Sequence, residues 1–157
     1  MTTKGKKLSK TNNFPLADIK NLKIGIVVSD WNKEITNRLL DGSIKTLNSS
    51  GISNKNICVK HVPGSFELIY GAKRMQERNF GAIIVIGCLI KGETMHFDYI
   101  CQGVTDGIKQ LNIINEVPII FCVLMDENIK QSIDRSGGKY GNKGMEAAYS
   151  AIKMSIF

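Results

Sequence analysis

Five short stretches carry side chains able to bind or convert a small molecule. They are Asp30-Trp31-Asn32, Ser65-Phe66-Glu67, the run GCLIKGET at 87–94 with His96 just beyond it, Met125-Asp126-Glu127-Asn128, and the glycine- and cation-rich run DRSGGKYGNKGMEAA at 134–148. The third has two glycines, Gly87 and Gly92, ahead of a threonine that opens a helix, much as a nucleotide-binding loop does. Glu93, however, stands where that motif needs its lysine, and a carboxylate there would meet terminal phosphates with like charge. That excludes nucleoside triphosphate hydrolysis. What remains is a helix start whose backbone N–H groups hold a single phosphate, with Glu93 turned away.

His96 falls in the first turn of that helix. A lone histidine in a globular domain is more often structural, but one beside a phosphate site on a ligand-binding rim is placed for proton transfer. His61 lies at a strand end and reads as a packed or edge residue. Trp31, the single tryptophan, sits in a turn, where an indole offers a flat face to a planar heterocycle. Phe121 reads from the pattern as core. Arg135 has the forked donors that suit phosphate, in a run that otherwise reads as a helix–helix connector. Two histidines and scattered cysteines make no set at metal-ligand spacing, so no metal is expected.

These residues need a scaffold that brings them to one rim. Short β-branched runs at 23–29, 57–62, 82–90 and 117–124 alternate with segments whose apolar residues recur at helical spacing. Ile35, Leu39, Leu40, Ile44 and Leu47 share one helix face; Phe66, Leu68, Ile69, Ala72 and Met75 share a second. Phe97, Ile100, Cys101, Val104 and Ile108 share a third, with a shorter helix at 128–134 and a last one at 143–154. Strand and helix in alternation predict a parallel sheet of four strands between two helical layers, a three-layer α/β/α sandwich. Residues 16–21 read as an extra strand or a connector. In such sheets ligands bind beyond the carboxyl ends of the strands, and four of the five stretches lie at or just past such an end.

The 157 residues, 43% of them hydrophobic, suit one domain, with residues 1–15 as a basic tail and 16–157 as the folded unit. The formal charge of +7 includes four lysines among the first ten residues. Nothing resembles an RNA-binding strand of clustered aromatics, so no nucleic-acid partner is expected. No apolar run reaches membrane-spanning length. Cys58, Cys88, Cys101 and Cys122 form no CxxC pair and read as small hydrophobes kept reduced in a cytoplasmic protein.

Taken together, KIGIVVSDWN (23–32), VPGSFEL (62–68), GCLIKGETMHFDYI (87–100), VPIIFCVL (117–124) and DRSGGKYGNKGMEAA (134–148) closely resemble the lumazine synthase family over residues 23–154. The combination of GET-x-HFDY with the later GNKG segment is highly specific. The resemblance implies a flavodoxin-like strand order and an enzyme without cofactor. It condenses 5-amino-6-(D-ribitylamino)uracil with 3,4-dihydroxy-2-butanone 4-phosphate through an imine. Phosphate is then eliminated and the ring closes to 6,7-dimethyl-8-ribityllumazine, the penultimate step of riboflavin biosynthesis.

By the same resemblance, Trp31 stacks on the pyrimidine, Ser65, Phe66 and Glu67 bind the ribityl chain, and Cys88, Leu89 and Ile90 lie along the pyrimidine with Phe121. Glu93, Thr94, Arg135 and Lys143 belong to the phosphate site, and His96 transfers protons. Ser65 replaces a common alanine, Ile69 a frequent proline and Lys91 a common arginine. The family also implies homopentamers with shared active sites, in which a loop carrying Arg135 and His96 faces Trp31 and Phe66 of the neighbouring subunit. The short GGKYGN connector resembles members that pack twelve pentamers into an icosahedral capsid of 60 subunits, and riboflavin synthase enters as a partner. Two rival readings are a non-catalytic flavin- or lumazine-binding shell protein, which would have lost His96 or Arg135, and a flavodoxin-like phosphate-binding regulator.

Overall fold

Two central strands made almost entirely of apolar residues have no polar face, so both faces must be covered. In the computed structural model, which describes residues 19–157, β1 (Ile24–Ser29) is buried along its whole length and β3 (Ala82–Ile90) along all but its last two residues. Side chains alternate between two cores. Ile24, Ile26, Val28, Ile84 and Ile86 point to one face, while Val27, Ile83 and Val85 point to the other. The expected basic tail at 1–15 lies outside the described residues, as do residues 16–18 of the predicted folded unit.

The edge strands are β2 (Ile57–Val62) and β4 (Ile119–Asp126), and the four run parallel in the order β2-β1-β3-β4. That is the predicted sandwich with its flavodoxin-like order. Helices α1 (Lys33–Ser49) and α5 (Lys143–Ser155) cover one face, contributing Leu39, Leu47, Ala148 and Ile152 to its core. Helices α2 (Leu68–Gln76) and α3 (His96–Ile114) cover the other through Leu68, Met75, Val104 and Ile108. Each such buried Val, Leu, Ile or Met side chain contributes about 1.5–3 kcal/mol.

Some boundaries differ from the periodicity. The fourth strand begins after Pro118, which has no N–H to donate, and runs two residues further than expected because Leu89 and Ile90 of β3 continue to pair with Met125 and Asp126. Residues 19–21 form no strand: Leu22 N–H closes a turn on the Ile19 carbonyl at 3.0 Å, and Ile19 is buried. Helix α4 (Ile129–Arg135) starts at its cap, Asn128, whose side chain accepts from Gln131 N–H at 3.1 Å.

The connector after α4 is a small antiparallel hairpin, β5 (Ser136–Gly138) and β6 (Gly141–Asn142). It leads into the GNKG segment, whose asparagine and second glycine are structural. The Asn142 amide donates to the carbonyls of Arg38 (2.8 Å) and Ser136 (3.2 Å) and accepts from Gly144 N–H (2.8 Å), so it caps α5 and ties it to α1. A Cβ on Gly144 would overlap the Leu39 carbonyl, so only glycine lets the two helices approach this closely. That packing fixes where Lys143, between them, points.

Candidate active site

Because the strands are parallel, their carboxyl ends share one rim, and the turns leaving them build the site. After β1 the chain turns through Asn32, at φ 55 the single non-glycine residue with positive φ among those described. Its Nδ2 donates to the Cys88 carbonyl on β3 at 2.9 Å, and its own carbonyl accepts the first amides of α1, from Ile35 and Thr36. This stitch fixes the turn and leaves Trp31 at the rim, 70% exposed. The sequence places Asn32 in this turn but does not show its bond to Cys88. The available signal was an asparagine, a residue tolerant of left-handed backbone, placed between a strand and a helix.

A cavity of about 520 Å³ opens beside that indole. The turn after β2 supplies Ser65, Phe66 and Glu67, and the end of β3 supplies Leu89 and Ile90. The loop into α3 adds Gly92, Thr94 and His96, and α3 closes the wall with Phe97 and Ile100. The cavity is mainly aromatic and aliphatic, with a few polar groups at its edge, the usual make-up of a site for a planar polar ligand. The Ser65 hydroxyl is buried with no partner among the described residues, an unsatisfied group beside an open cavity. Helix α3 begins at His96, two residues later than Thr94, whose hydroxyl accepts from the His96 N–H at 3.4 Å. Glu93 is exposed and does not line the cavity.

Cys88, expected along the ligand, is buried and is not among the lining residues. Its carbonyl is held by Asn32, and its thiol donates to the Ser132 hydroxyl at 3.4 Å. Burial pushes that thiol up, with nearby Asp126 adding to the effect and the Ser132 hydrogen bond opposing it.

Arg135, Lys143 and Phe121 are elsewhere. They line a separate pocket of about 180 Å³ between the free edge of β4 and α5. Phe121 is 40% exposed there, which corrects its reading as core: β4 is an edge strand, so one flank of Phe121 has no neighbour. Both cations are paired. Arg135 Nη1 donates to Asp126 Oδ1 at 2.8 Å and Lys143 Nζ to Glu146 Oε2 at 2.7 Å. The Arg135 Nε is buried and has no partner among the described residues. The Cys122 thiol on the pocket floor is pushed up to about 12, chiefly by burial and then by Glu146, against the opposing pull of Lys143 and Arg135.

The expected division of the site between subunits therefore needs correcting. His96 shares one chain's cavity with Trp31 and Phe66, and it is Arg135 that stands apart, with Phe121 and Lys143. The reason is topological. His96 follows the central strand β3, next to the turns after β1 and β2, whereas α4 carries Arg135 outward past the sheet edge at β4. His61 is an exposed edge residue as expected, its Nδ1 3.1 Å from Asp30 Oδ1. All four cysteines are free, and among the described residues no three His, Cys, Asp or Glu side chains are grouped to hold a metal ion. No helix among those described is long and apolar enough to cross a membrane.

An α/β sandwich with a cavity at its strand ends, lined by an indole, an imidazole and aliphatic side chains, has the make-up of a small-molecule site. The sequence profile of 6,7-dimethyl-8-ribityllumazine synthase matches residues 21–156, and the chain belongs to that family. The 6,7-dimethyl-8-ribityllumazine synthase of Flavobacterium johnsoniae is 53% identical over 156 residues, spanning 99% of this chain and 82% of the relative. The protein of the same name from Parabacteroides distasonis is 50% identical over 158 residues, covering 100% and 99%. That from Bacteroides fragilis is 54% identical over 137 residues, covering 87% and 96%.

Proposed function

We propose that the chain, one domain over its described residues, condenses 5-amino-6-(D-ribitylamino)uracil with 3,4-dihydroxy-2-butanone 4-phosphate. The products are 6,7-dimethyl-8-ribityllumazine, phosphate and water. The observation that carries this reading is the presence, in a chain of that family, of a cavity holding both Trp31 and His96. Trp31 stacks on the pyrimidine, Ser65 and Glu67 take ribityl hydroxyls, and Phe66, Leu89 and Ile90 close around the ring. Thr94 and the backbone beside Glu93 receive the phosphate together with Arg135 and Lys143. An amine and a ketone already react slowly unaided, so much of the acceleration comes from holding them in one pose. His96 moves protons during imine formation and phosphate loss.

The cavity with His96 and the pocket with Arg135 do not meet within one chain, so we assign the complete site to a subunit boundary in a homopentamer. Exposed Trp31 and Phe121, on separate parts of the surface, fit such a junction. The short hairpin after α4 favours twelve pentamers in a 60-subunit capsid, with riboflavin synthase as its partner and the cytoplasm as its location. Loss of the rival shell protein's catalytic groups is not seen, since His96 and Arg135 are both present.

The test mixes both substrates with the purified protein and follows absorbance in the lumazine band. Growth well above the uncatalysed rate is expected; tight product binding without acceleration means a carrier. Sharing is tested by co-assembling His96→Ala and Arg135→Ala chains. Sites built across a boundary regain activity wherever two intact halves meet. If both halves came from one chain, every site would keep a lesion and the mixture would stay as slow as its parents.

A further inference from the structure

Asp126 closes β4, opposite Ile90 of β3 in register, and is 3% exposed. A buried carboxylate must be matched by donors, and this one is matched at both oxygens. Oδ1 accepts from Arg135 Nη1 at 2.8 Å, and Oδ2 accepts from the Ser132 hydroxyl at 2.8 Å. Ser132 and Arg135 lie three apart on α4 and so share the helix face turned to the strand end. Ser132 in turn accepts from the Cys88 thiol, one residue before the cavity-lining Leu89. Meanwhile the Arg135 side chain is 30% exposed and lines the pocket with Phe121 and Lys143.

From this geometry we infer that Asp126 is a positioning residue for Arg135, aiming its guanidinium at the phosphate of the ketone substrate. An arginine side chain has many rotamers and loses substantial entropy when an anion orders it. With one terminal nitrogen held by an immobile carboxylate, the fork is ordered before the anion arrives, while the side chain still lines the pocket. Charge alone would argue against an acid here, because Asp126 offsets part of the attraction for phosphate. Orientation is the gain that explains it. The inference rests on Arg135 being the phosphate anchor.

The test is steady-state kinetics of the full-length enzyme with each substrate varied in turn, and with inorganic phosphate as inhibitor. Asp126→Ala should raise KM for the phosphorylated ketone, and the inhibition constant for phosphate, about tenfold, with KM for the pyrimidine amine within about twofold. Asp126→Asn, which keeps an oxygen acceptor for Arg135, should recover most of the loss. In an Arg135→Ala background, Asp126→Ala should add nothing further. Asp126→Ser keeps a hydroxyl for Ser132 but is too short to reach Arg135. It should reproduce the ketone-specific effect even if the alanine chain does not fold. An unchanged ketone KM in the serine or alanine variant, or an equal rise for both substrates, overturns the role of Asp126 while leaving the anchor intact. If Arg135→Ala itself leaves the ketone KM unchanged, the anchor reading fails first and takes this one with it.

Discussion

The two pockets of this chain solve different physical problems. The larger, beside Trp31, is walled by rings and aliphatic carbon, and among the described residues the side chains of its Ser65, Glu67 and His96 make no hydrogen bond or ion pair. The smaller, beside β4, holds two cations, each tied to a carboxylate. The exposed, unpaired tips of Glu67 and His96 are available to a neutral, hydroxyl-rich ligand and to proton transfer. Paired cations in a tight pocket are stiff, and suit a compact anion whose position must be set before it binds. The two pockets thus present opposite arrangements of polar groups.

The largest expected effect comes from removing the centre of the charged pocket. Arg135→Ala leaves Asp126 buried without its cation, and kcat/KM for the ketone should fall by about a thousandfold, given a cost of roughly 2–5 kcal/mol for such truncations. A drop confined to the pyrimidine amine in the same assay would reverse the assignment of the two pockets. Next comes His96→Ala, which should slow kcat about tenfold to a few hundredfold while both KM values stay near wild type. Turnover equal to wild type would remove proton transfer from the apolar cavity. Trp31→Ala should raise KM for the pyrimidine amine about tenfold, in line with roughly 1–3 kcal/mol for stacking on an aromatic face, and Trp31→Phe should restore most of it. A matching rise for the ketone would mean that the two pockets are not separate in what they recognise.

The smallest effect concerns pH. The Cys122 thiol under the charged pocket ionises near 12 in the folded chain, against an ordinary 9.0. Between these values the unfolded chain releases its proton first, so this group's contribution is whole below about 9 and is lost as pH rises toward 12. Cys122→Ala should flatten the fall in denaturant midpoint over that window. An unchanged slope would mean that the thiol is not held protonated there.

Much of this architecture was legible because it depends on local pattern. The β-branched runs fixed the four strands to within two residues, since a strand buried on both faces has few compositions open to it. Each turn after a strand announced its chemistry by type alone: indole, carboxylate, hydroxyl and imidazole. Less was legible wherever a role depends on a distant partner. Asn32 reaches Cys88 from 56 positions away, and Asn142 reaches Arg38 from 104 away. Asp126 was visible as a strand-end acid, but nothing in its neighbours shows that it faces Arg135 and Ser132.

By itself the sequence determined the layers, the strand positions, the chemical inventory of the rim and, through its motifs, the family. Those follow from periodicity and residue type, which act over a few neighbouring positions. Only the tertiary structure decided that His96 belongs with Trp31 and Phe66 while Arg135 belongs with Phe121 and Lys143. That division depends on which strand lies at the sheet edge and how α4 leaves it. Strand order is set by how the helices pack across both faces, a sum of contacts between residues far apart in the chain.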